Sequence, residues 1–528
     1  MSYAVDFGTS NTVIARWNPV SQQPESIALP GLSFRVGQNP DLVPSLVYVE
    51  QAATGQVLVG QQVRDRGLDL HSDPRFFRSF KRGIGADIQG FLPELDGCAV
   101  SFEQVGRWFL LTLLNQLKAS QPDLGESLVV TVPVDSFESY RHWLGQVCAD
   151  LQIEQIRMID EPTAAALGYG KADQSLLLVL DFGGGTLDLS LVQLSASKPL
   201  GFILKWGDKM LADSTRQRPQ TARVLAKAGQ NLGGTDLDHW LVDYFSKTQD
   251  LGVTPLTTRL AERLKIQLSL QPKATEVYFN AETFDSIEMS LDRNMFEEIL
   301  VQHQFFERLD ASMTQVLQQA RRQGITVEDI ESVLLVGGTS QIPAVKTWVQ
   351  QYFEAAKVCS SRPFEAIAQG ALQLTRGIEL KDFLYHGYGV RYWDRRQNAH
   401  GWHPIIPEGQ PYPMADPVEL VLGASNDGQP SIELVIGELG SNAGGTEVYF
   451  DGDRLVTRTL SNVPTTVQAL NDREGARSIA KLTPPGYPGC DRIKVQFWVD
   501  ETRALRITVE DLLVQTILIR NQVVAQLS

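Results

Sequence analysis

Two stretches of the chain share one pattern: Tyr3-Ala-Val-Asp6-Phe-Gly8-Thr9-Ser10-Asn11-Thr12-Val-Ile-Ala and Leu178-Val-Leu-Asp181-Phe-Gly183-Gly184-Gly185-Thr186-Leu-Asp188-Leu-Ser. Each is an apolar, β-prone run that reaches an aspartate, followed by a turn of small residues and a second β-prone run. This pattern predicts a hairpin whose glycine-rich tip lets a ligand approach the backbone closely. A single copy would more often be purely structural, because Asp and Gly favour turns for conformational reasons. The repetition therefore predicts two similar lobes, each carrying one such hairpin.

Two further glycine pairs occur later in the chain. Asn231-Leu-Gly233-Gly234-Thr235-Asp236 precedes a helical run, and Val333-Leu-Leu-Val-Gly337-Gly338-Thr339-Ser340-Gln341 follows an apolar strand. Backbone N–H groups in such turns reach phosphate oxygens, and a helix N-terminus adds a favourable field. Together with strand-end carboxylates, which hold Mg²⁺ through water, the four turns predict a nucleotide bound between the lobes.

Length and composition are those of an ordinary multidomain globular protein. At 528 residues the chain exceeds what one hydrophobic core normally supports, so at least two domains are expected. Hydrophobic residues make up 43% and charged residues 21%, which excludes a disordered or fibrous chain. The net charge of -15 argues against nucleic acid as a partner, because proteins that bind it need a basic surface.

Cysteine spacing and hydropathy predict the compartment. Cys98, Cys148, Cys359 and Cys490 lie far apart without CxxC spacing, which favours reduced thiols over disulfides or a zinc site. The N-terminal segment lacks the long apolar region of a secretion signal. Apolar runs such as residues 176–180 are far shorter than the roughly 20 residues of a membrane helix. The sequence therefore predicts a cytoplasmic protein without a membrane partner.

Beyond the turns, the chain resembles the 70-kDa heat-shock chaperone family, within the superfamily that includes actin and sugar kinases. The matching connecting segments are Val129-Val-Thr-Val-Pro133, Arg141 and Ile159-Asp-Glu161-Pro162-Thr-Ala-Ala-Ala-Leu-Gly-Tyr169-Gly170. Phe80-Lys81-Arg82-Gly-Ile-Gly85 resembles the family segment whose lysine orients the attacking water. Residues 259–269 resemble the helix that contacts ribose and adenine, and residues 363–371 resemble the closing helix.

The resemblance implies the fold class and the domain boundaries. We expect an α/β two-lobed, actin-like ATPase domain with a duplicated ribonuclease H-like fold, followed by an all-β sandwich. The implied boundaries are 1–377 for the ATPase domain, 378–387 for the linker, and 388–528 for a substrate-binding-like domain without a helical lid. The implied linker, Leu380-Lys-Asp382-Phe383-Leu384-Tyr385-His386-Gly387, is apolar but differs from the run of leucines ending in aspartate that the family has.

The resemblance also implies roles for individual residues. The catalytic residues would be Lys81, Glu161, Asp181 and Thr186, which would position water and the γ-phosphate. ATP or ADP would be bound by Gly8, Thr9, Ser10, Asn11, Gly183, Gly184, Gly185, Gly233, Gly234, Glu262, Lys265, Ser269, Gly337, Gly338, Thr339 and Gln341. Mg²⁺ would be held through water by Asp6, Asp181 and Asp188. Pro133 and Arg141 would relay the nucleotide state to the second domain.

Several of these residues also have plain structural explanations. Taken alone, Lys81 is better explained as a solvated surface lysine and Glu161 as a helix N-terminal acid, while Pro133 can simply end a strand. Two positions depart from the family: its adenine-stacking arginines are replaced by Ile266 and Gln341. Lost cation–π stacking is worth roughly 0.5 to 2 kcal/mol for each arginine, so we expect weaker ATP binding or poorer discrimination among purines.

The C-terminal part has a β texture. Residues 432–438, 493–499 and 505–509 alternate between apolar and polar side chains, as half-buried strands do, and residues 512–519 form a further apolar run. We expect a two-layer sandwich that binds an extended apolar peptide through main-chain hydrogen bonds; the alternative is a packed sandwich without a groove. Trp393, Trp402 and Trp498 either line such a site or fill the core. Without a lid, peptide exchange should be fast.

Three functions remain open on the sequence alone. The leading hypothesis is a chaperone-like protein that hydrolyses ATP slowly and whose nucleotide state controls binding of extended or unfolded polypeptide. The resemblance also brings a J-domain co-chaperone and a nucleotide exchange factor into consideration as partners. The alternatives are a nucleotide-sensing, partner-binding regulatory module with little or no ATPase activity, and a small-molecule kinase.

Overall fold

The structure is a computed structural model that divides into two compact units. The first comprises Met1–Leu380 and Glu447–Arg458, and the second comprises Lys381–Thr446 and Thr459–Ser528. The residues that the structure describes are 2–18, 20–37, 39–86, 88–121, 127–133, 138–149, 151, 153, 155–170, 175–196, 220–280, 283–373, 384, 387–394, 399–407, 410, 412–414, 416–439, 446–451, 454–459, 467–471, 478–500 and 503–527.

The described helices all precede residue 373. They are α1 (Gln61–Asp65), α2 (Phe102–Ser120), α3 (Glu138–Ala149), α4 (Glu161–Gly168), α5 (Gly234–Gln249), α6 (Pro255–Leu270), α7 (Arg293–Gln302), α8 (Phe305–Arg322), α9 (Pro343–Val349) and α10 (Ala366–Ala371). Short 3₁₀ helices occur at Phe80–Gly83, Gly338–Gln341 and Ala355–Lys357.

The described strands run through the whole chain. Those before residue 373 are β1 (Ser2–Phe7), β2 (Asn11–Asn18), β3 (Gln23–Ser26), β4 (Val43–Pro44), β5 (Leu46–Gln51), β6 (Gln56–Val59), β7 (Phe76–Arg78), β8 (Ile88–Gln89), β9 (Glu94–Leu95), β10 (Cys98–Ala99), β11 (Ser127–Val132), β12 (Gln155–Asp160), β13 (Leu176–Phe182), β14 (Leu187–Ala196), β15 (Gln220–Gln230), β16 (Lys273–Phe279), β17 (Ser286–Asp292), β18 (Ser332–Val336) and β19 (Val358–Cys359). The later ones are β20 (Gly387–Asp394), β21 (Ala399–Ile406), β22 (Val418–Gly423), β23 (Gln429–Glu433), β24 (Ile436–Leu439), β25 (Thr446–Asp451), β26 (Arg454–Thr459), β27 (Val467–Ala469), β28 (Ser478–Gly486), β29 (Asp491–Val499), β30 (Ala504–Asp511) and β31 (Thr516–Gln526).

The first unit contains two sheets with the same connectivity. One has the order β12-β11-β1-β2-β3, with β4 on β2, and the other has the order β15-β14-β13-β18-β19. In each, the first two strands form an antiparallel hairpin that a third antiparallel strand extends, while the two later strands add parallel to the first. The predicted hairpins are therefore confirmed, and they occupy corresponding positions in two similar sheets.

The sequences of these sheets and helices explain where the core lies. Strands β11 and β18 are buried along their whole length, as parallel strands covered by helices are. Helices α4 and α10 cross at a very short distance. A Cβ on Gly168 would lie 1.9 Å from the Ala366 carbonyl oxygen. A Cβ on Gly370 would lie 1.8 Å from the Ala164 carbonyl oxygen. Only glycines permit this crossing, which fixes the start of α4 relative to both sheets.

The second unit is built from antiparallel sheets with the orders β21-β20-β24-β27, β22-β29-β30-β31 and β23-β28. The alternation predicted for residues 493–499 is confirmed, since every second side chain from Ile493 to Val499 is buried. The expected strand 432–438 is interrupted at Leu434 and Val435, where Asn471 accepts a hydrogen bond from the Ile436 N–H and donates one to the Leu434 carbonyl.

The prediction of a continuous strand over 512–519 is wrong in its first half. Residues 512–515 form the turn between β30 and β31. The Asp511 carboxylate accepts the N–H of Leu513 at 2.9 Å, a local side-chain bond that competes with strand pairing. Apolar composition alone gave no sign of this turn.

Other expectations are answered more briefly. All four cysteines are free. Among the described helices, none has both the length and the apolar character needed to cross a membrane. Of the predicted linker 378–387, the described residues include only Leu384 and Gly387.

Candidate functional site

The four glycine-rich turns meet in one cleft of the first unit, with a volume of about 560 Å³. The residues singled out from the sequence that line it are Asp6, Gly8, Thr9, Ser10, Asn11, Lys81, Glu161, Asp181, Gly183, Gly184, Thr186, Gly234, Glu262, Lys265, Ser269, Gly337, Gly338, Thr339 and Gln341. Residues that stand far apart in the chain are thus brought to a single cavity.

Five of the selected residues do not line the cleft. Gly185 and Gly233 lie behind the turn at Gly184, and Asp188 stands opposite Asp181 in the β13–β14 hairpin. Pro133 directly follows β11. Arg141 lies in α3, but its side chain is outside the described part of the structure.

Backbone hydrogen bonds hold the turns together. Gly183 receives a bond from the Gly234 N–H at 3.1 Å and another from the Thr339 hydroxyl at 2.8 Å, so its carbonyl joins three of the turns. Gly337 has a φ of +81°, which side-chain-bearing residues rarely adopt. A Cβ on Gly184 would lie 1.8 Å from the Ser10 hydroxyl oxygen, so the two hairpin tips approach each other at van der Waals distance.

A buried ion pair lies at the floor of the cleft. The Lys81 Nζ is 2.8 Å from the Glu161 Oε1, and their side chains are 9% and 12% exposed. Lys81 comes from the 3₁₀ helix Phe80–Gly83, and Glu161 is the first residue of α4, whose cap is Asp160. Burial alone would lower the pKa of Lys81, but the Glu161 carboxylate raises it above its usual value. Lys81 is therefore a fixed cation facing the glycine-rich turns.

Full ionisation of the carboxylates around this pair would give more negative charge than Lys81 offsets, and the pKa values of two of them are raised accordingly. Burial, followed by repulsion from Glu161, raises the pKa of Asp6 to about 7, although a 2.8 Å hydrogen bond from the Thr131 hydroxyl favours its ionised form. Burial also raises the pKa of Asp181 well above its ordinary value, with further contributions from Glu161 and Asp188. Such a cluster is stabilised by an additional cation.

The donor set fits a Mg²⁺ ion held through water. No group of three His, Cys, Asp or Glu side chains converges on a common metal position among the described residues. Carboxylates that share one side of a cleft without forming a full cage are typical of Mg²⁺, which keeps several waters and takes further ligands from phosphates. The raised pKa values of Asp6 and Asp181, to which Asp188 contributes from behind the cleft, are the observation that such an ion fits.

The side of the cleft formed by α6 is polar and paired. Lys265 donates to the Gly234 carbonyl at 2.7 Å and lies 2.7 Å from Asp238 Oδ1. Although burial opposes it, the cations Arg64 and Lys265 hold the pKa of Glu262 below its usual value. Ile266, which is 42% exposed, and Gln341 both line the cleft.

Sequence reasoning missed several residues at this site. Arg64 from α1 and Arg78 from β7 line the cleft but belong to no motif. Thr131 and Tyr140 flank the acidic cluster, and the Tyr140 hydroxyl is buried with no hydrogen-bond partner among the described residues. Of these residues, Asp238 was the easiest to predict from the sequence. It follows Gly234 by one helical turn and therefore lies on the same face of α5.

The tryptophans of the second unit have different environments. A Cβ on Gly437 would lie 2.4 Å from the Trp402 ring, so this ring packs on the backbone of β24. Trp393 is 47% exposed and contacts His400 edge to face. Trp402 thus has a packing role, while Trp393 remains a candidate for contact with a ligand.

Comparisons with known proteins agree with this geometry. The family model described as Hsp70 protein matches residues 95–198 and 221–382. The chaperone protein DnaK of Thermosipho melanesiensis is 26% identical over 535 residues, covering 96% of this chain and 78% of that protein. The chaperone protein DnaK of Thermotoga maritima is 25% identical, with 96% of this chain and 78% of that protein covered.

Proposed function

The chain belongs to the Hsp70 family of chaperones, and from this premise we propose that it binds Mg²⁺ and ATP in the cleft and hydrolyses ATP slowly. We further propose that the nucleotide state controls how the β-rich unit binds extended or unfolded polypeptide. Residues 1–377 would then form an actin-like, duplicated ATPase domain, and residues 388–528 a β-sandwich. The observation that carries the proposal is the buried Lys81–Glu161 pair facing both phosphate turns beside Asp6 and Asp181.

Each residue has a physical task in this proposal. Backbone N–H groups of the turns at Gly8 and Gly183 would bind phosphate oxygens, since glycine lets the phosphates approach the chain. Mg²⁺, when bound, would supply neutralisation of charge on the phosphates. Lys81 would hold the γ-phosphate end, and Glu161 and Thr186 would orient water there. Rate acceleration would come from alignment and charge neutralisation rather than from a covalent intermediate.

The equal connectivity of the two sheets supports the proposed duplicated domain. We infer a hinge where α4 and α10 cross. Both helices pack against the two sheets of the first unit. They cannot separate without losing their close contact, so the two halves would rotate about this crossing. Glu161 begins α4, so a change in the angle between the halves would move it relative to the phosphate turns. This would couple nucleotide binding to the geometry of the first unit.

The proposal is tested by measuring ATP turnover of the full chain with and without an unfolded apolar peptide. Wild type should hydrolyse ATP, and the peptide should stimulate it. Lys81→Ala should abolish turnover, while Lys247→Ala, which removes an exposed lysine on α5, should leave it unchanged. Nucleotide binding without turnover in wild type would instead favour the regulatory module, and sugar-dependent phosphate transfer would favour a kinase. Either result would overturn the proposed activity.

A further inference from the structure

Arg82 is a cation next to the candidate site that none of the tasks above uses. It follows Lys81 in the 3₁₀ helix Phe80–Gly83 and is partly buried. Its Nε atom is buried and has no hydrogen-bond partner among the described residues. A buried guanidinium nitrogen without a partner is costly, so its presence calls for a compensating group.

The side chain of Arg82 passes directly behind the two phosphate turns. A Cβ placed on Gly185 would lie 2.8 Å from the Thr9 Cγ2 and 3.0 Å from the Arg82 Cδ. Thr9 lines the cleft, whereas Gly185 and Arg82 do not. The stem of Arg82 is therefore separated from the phosphate end of the cleft only by the thickness of these two turns.

The surroundings of Arg82 hold an excess of positive charge. Burial lowers the pKa of Arg82, Asp236 partly offsets this, and Arg308 lowers it further. Asp236 already accepts the Gly233 N–H at 2.8 Å in the cap of α5. Arg308 donates to the Asn231 carbonyl at 3.2 Å, which places it beside the third glycine turn. The carboxylate that offsets the charge of Arg82 is thus already engaged, while the second guanidinium, that of Arg308, adds positive charge.

We propose that Arg82 and Arg308 form a second oxyanion site behind the phosphate turns, which takes the inorganic phosphate released by hydrolysis before it reaches solvent. This inference rests on the proposed ATPase function. In that reaction water bonds to the γ-phosphorus, the bond to the β–γ bridging oxygen breaks, and ADP, phosphate and a proton result. The phosphate forms beside Thr9 and Gly185, the residues against which Arg82 packs. Planar guanidinium groups bind such an oxyanion through paired hydrogen bonds.

The site gives the phosphate a position distinct from the cleft that holds ADP. A phosphate ion that leaves on the side of Arg82 avoids the path that the bound ADP blocks. While the phosphate rests there, the turns at Thr9 and Gly185 remain ordered around an anion, so the hydrolysed state would persist after the bond has broken. Phosphate release, rather than bond cleavage, would then end that state.

Two measurements on the full chain test the site. Equilibrium binding of radiolabelled inorganic phosphate to the ADP-bound protein needs no hydrolysis. Release of phosphate after a single turnover, followed with a fluorescent phosphate sensor, is compared with bond cleavage in quenched samples. The variants are Arg82→Ala, Arg82→Lys and Arg308→Ala, and the matched control is Arg322→Ala, an exposed arginine at the end of α8.

We expect Arg82→Ala to weaken phosphate binding by about 10- to 100-fold, the effect of losing one charged hydrogen-bonding partner. The ratio of the release rate to the cleavage rate should rise in Arg82→Ala and Arg308→Ala and stay constant in Arg322→Ala. Arg82→Lys should restore part of the affinity, since it keeps the charge but not the planar fork. Circular dichroism shows whether each variant folds. If Arg82→Ala does not fold, the phosphate affinities of Arg82→Lys and Arg308→Ala test the site instead.

Unchanged phosphate affinity and an unchanged rate ratio in both alanine variants would overturn the site while leaving the ATPase proposal intact. Conversely, a wild-type protein that cleaves no ATP would remove the proposed function, and the equilibrium measurement would still show whether Arg82 binds phosphate. Phosphate that binds wild type and both alanine variants equally would also count against the site. The two failures are therefore distinguishable.

Discussion

Removing the cation from the Lys81–Glu161 pair should destabilise the protein in a pH-dependent way. The two side chains are 2.8 Å apart and almost fully buried, so Lys81→Met leaves Glu161 with neither a partner nor solvent. Breaking a buried ion pair from one side costs about 3 to 5 kcal/mol in the free energy of unfolding. Glu161→Gln, which leaves Lys81 charged beside Asp6 and Asp181, should cost less because those carboxylates still face the ammonium group.

The direction of the pH dependence follows from the carboxylates. Without Lys81 the pKa of Asp6 rises further above its value of about 7, so the folded state binds protons that the unfolded state has already released. A group with a raised pKa in the folded state contributes stability at low pH, and that contribution is lost as the pH rises through the raised value. The Lys81→Met protein should therefore lose most stability relative to wild type at pH 8 and less at pH 6.

Urea unfolding of the nucleotide-free protein, followed by far-UV circular dichroism, measures these differences. Wild type, Lys81→Met, Glu161→Gln and the double variant form a thermodynamic cycle, with Lys247→Met as the control for removing an exposed lysine. The double variant should lose less than the sum of the single losses, with a coupling of about 0.5 to 3 kcal/mol. Additive losses, or a Lys81→Met protein as stable as wild type at pH 8, would refute the buried pair.

Four further substitutions test other parts of the structure. Gly370→Ala places a methyl group 1.8 Å from the Ala164 carbonyl oxygen, so it should lower the stability of the first unit by about 3 kcal/mol in thermal unfolding; an unchanged melting temperature would contradict the helix crossing. Because burial raises the pKa of Asp6 to about 7, affinity for Mg²⁺ and ATP should increase as the pH rises toward 7, with a proton released on binding. Titration calorimetry in two buffers of different ionisation enthalpy measures how many protons are released on binding. This release should be absent in the Asp6→Asn variant. Ile266→Arg should tighten ATP binding by about 2- to 30-fold by restoring stacking on the base, and fluorescence titration showing no gain would exclude the base from this position. Asn471→Ala leaves two buried backbone groups of the second unit unpaired and should cost about 1 to 3 kcal/mol for each in urea unfolding; a cost near zero would mean that water replaces the side chain.

The features that sequence predicted well are those determined by local backbone chemistry. The aspartate-to-glycine turns at Asp6 and Asp181 mark hairpins because strand patterning and turn residues act over a few positions. Their convergence was inferred only from repetition and resemblance. Arg64 and Arg78 carried no signal, since they reach the cleft from α1 and β7 through the packing of distant elements. A one-dimensional pattern contains no information about such tertiary neighbours.

In the second unit, too, the features set by local sequence were predictable, and those set by contacts with distant residues were not. Alternation along β29 follows directly from the period of a strand, so the burial of Ile493 and its alternate neighbours was predictable. The turn after β30 was not, because its apolar residues resemble a strand and the deciding contact is made by the Asp511 side chain. Asp511 is in turn held by a buried pair of hydrogen bonds from Arg492 at 3.0 and 2.8 Å. The turn therefore depends on a partner from β29.

The two ends of the cleft are constrained by different kinds of chemistry, and this explains why one matches the family and the other departs from it. The phosphate end is formed by backbone groups at glycines such as Gly184 and Gly337, where any side chain would collide with the neighbouring turn. The base end is formed by side chains on the surface of α6, where Ile266 is 42% exposed and can change without disturbing the core. Substitution therefore alters contact with the base far more readily than contact with the phosphates. Under the proposed function, the site would therefore distinguish nucleotides mainly by their phosphates and metal ion, because those contacts are the ones that the fold cannot lose.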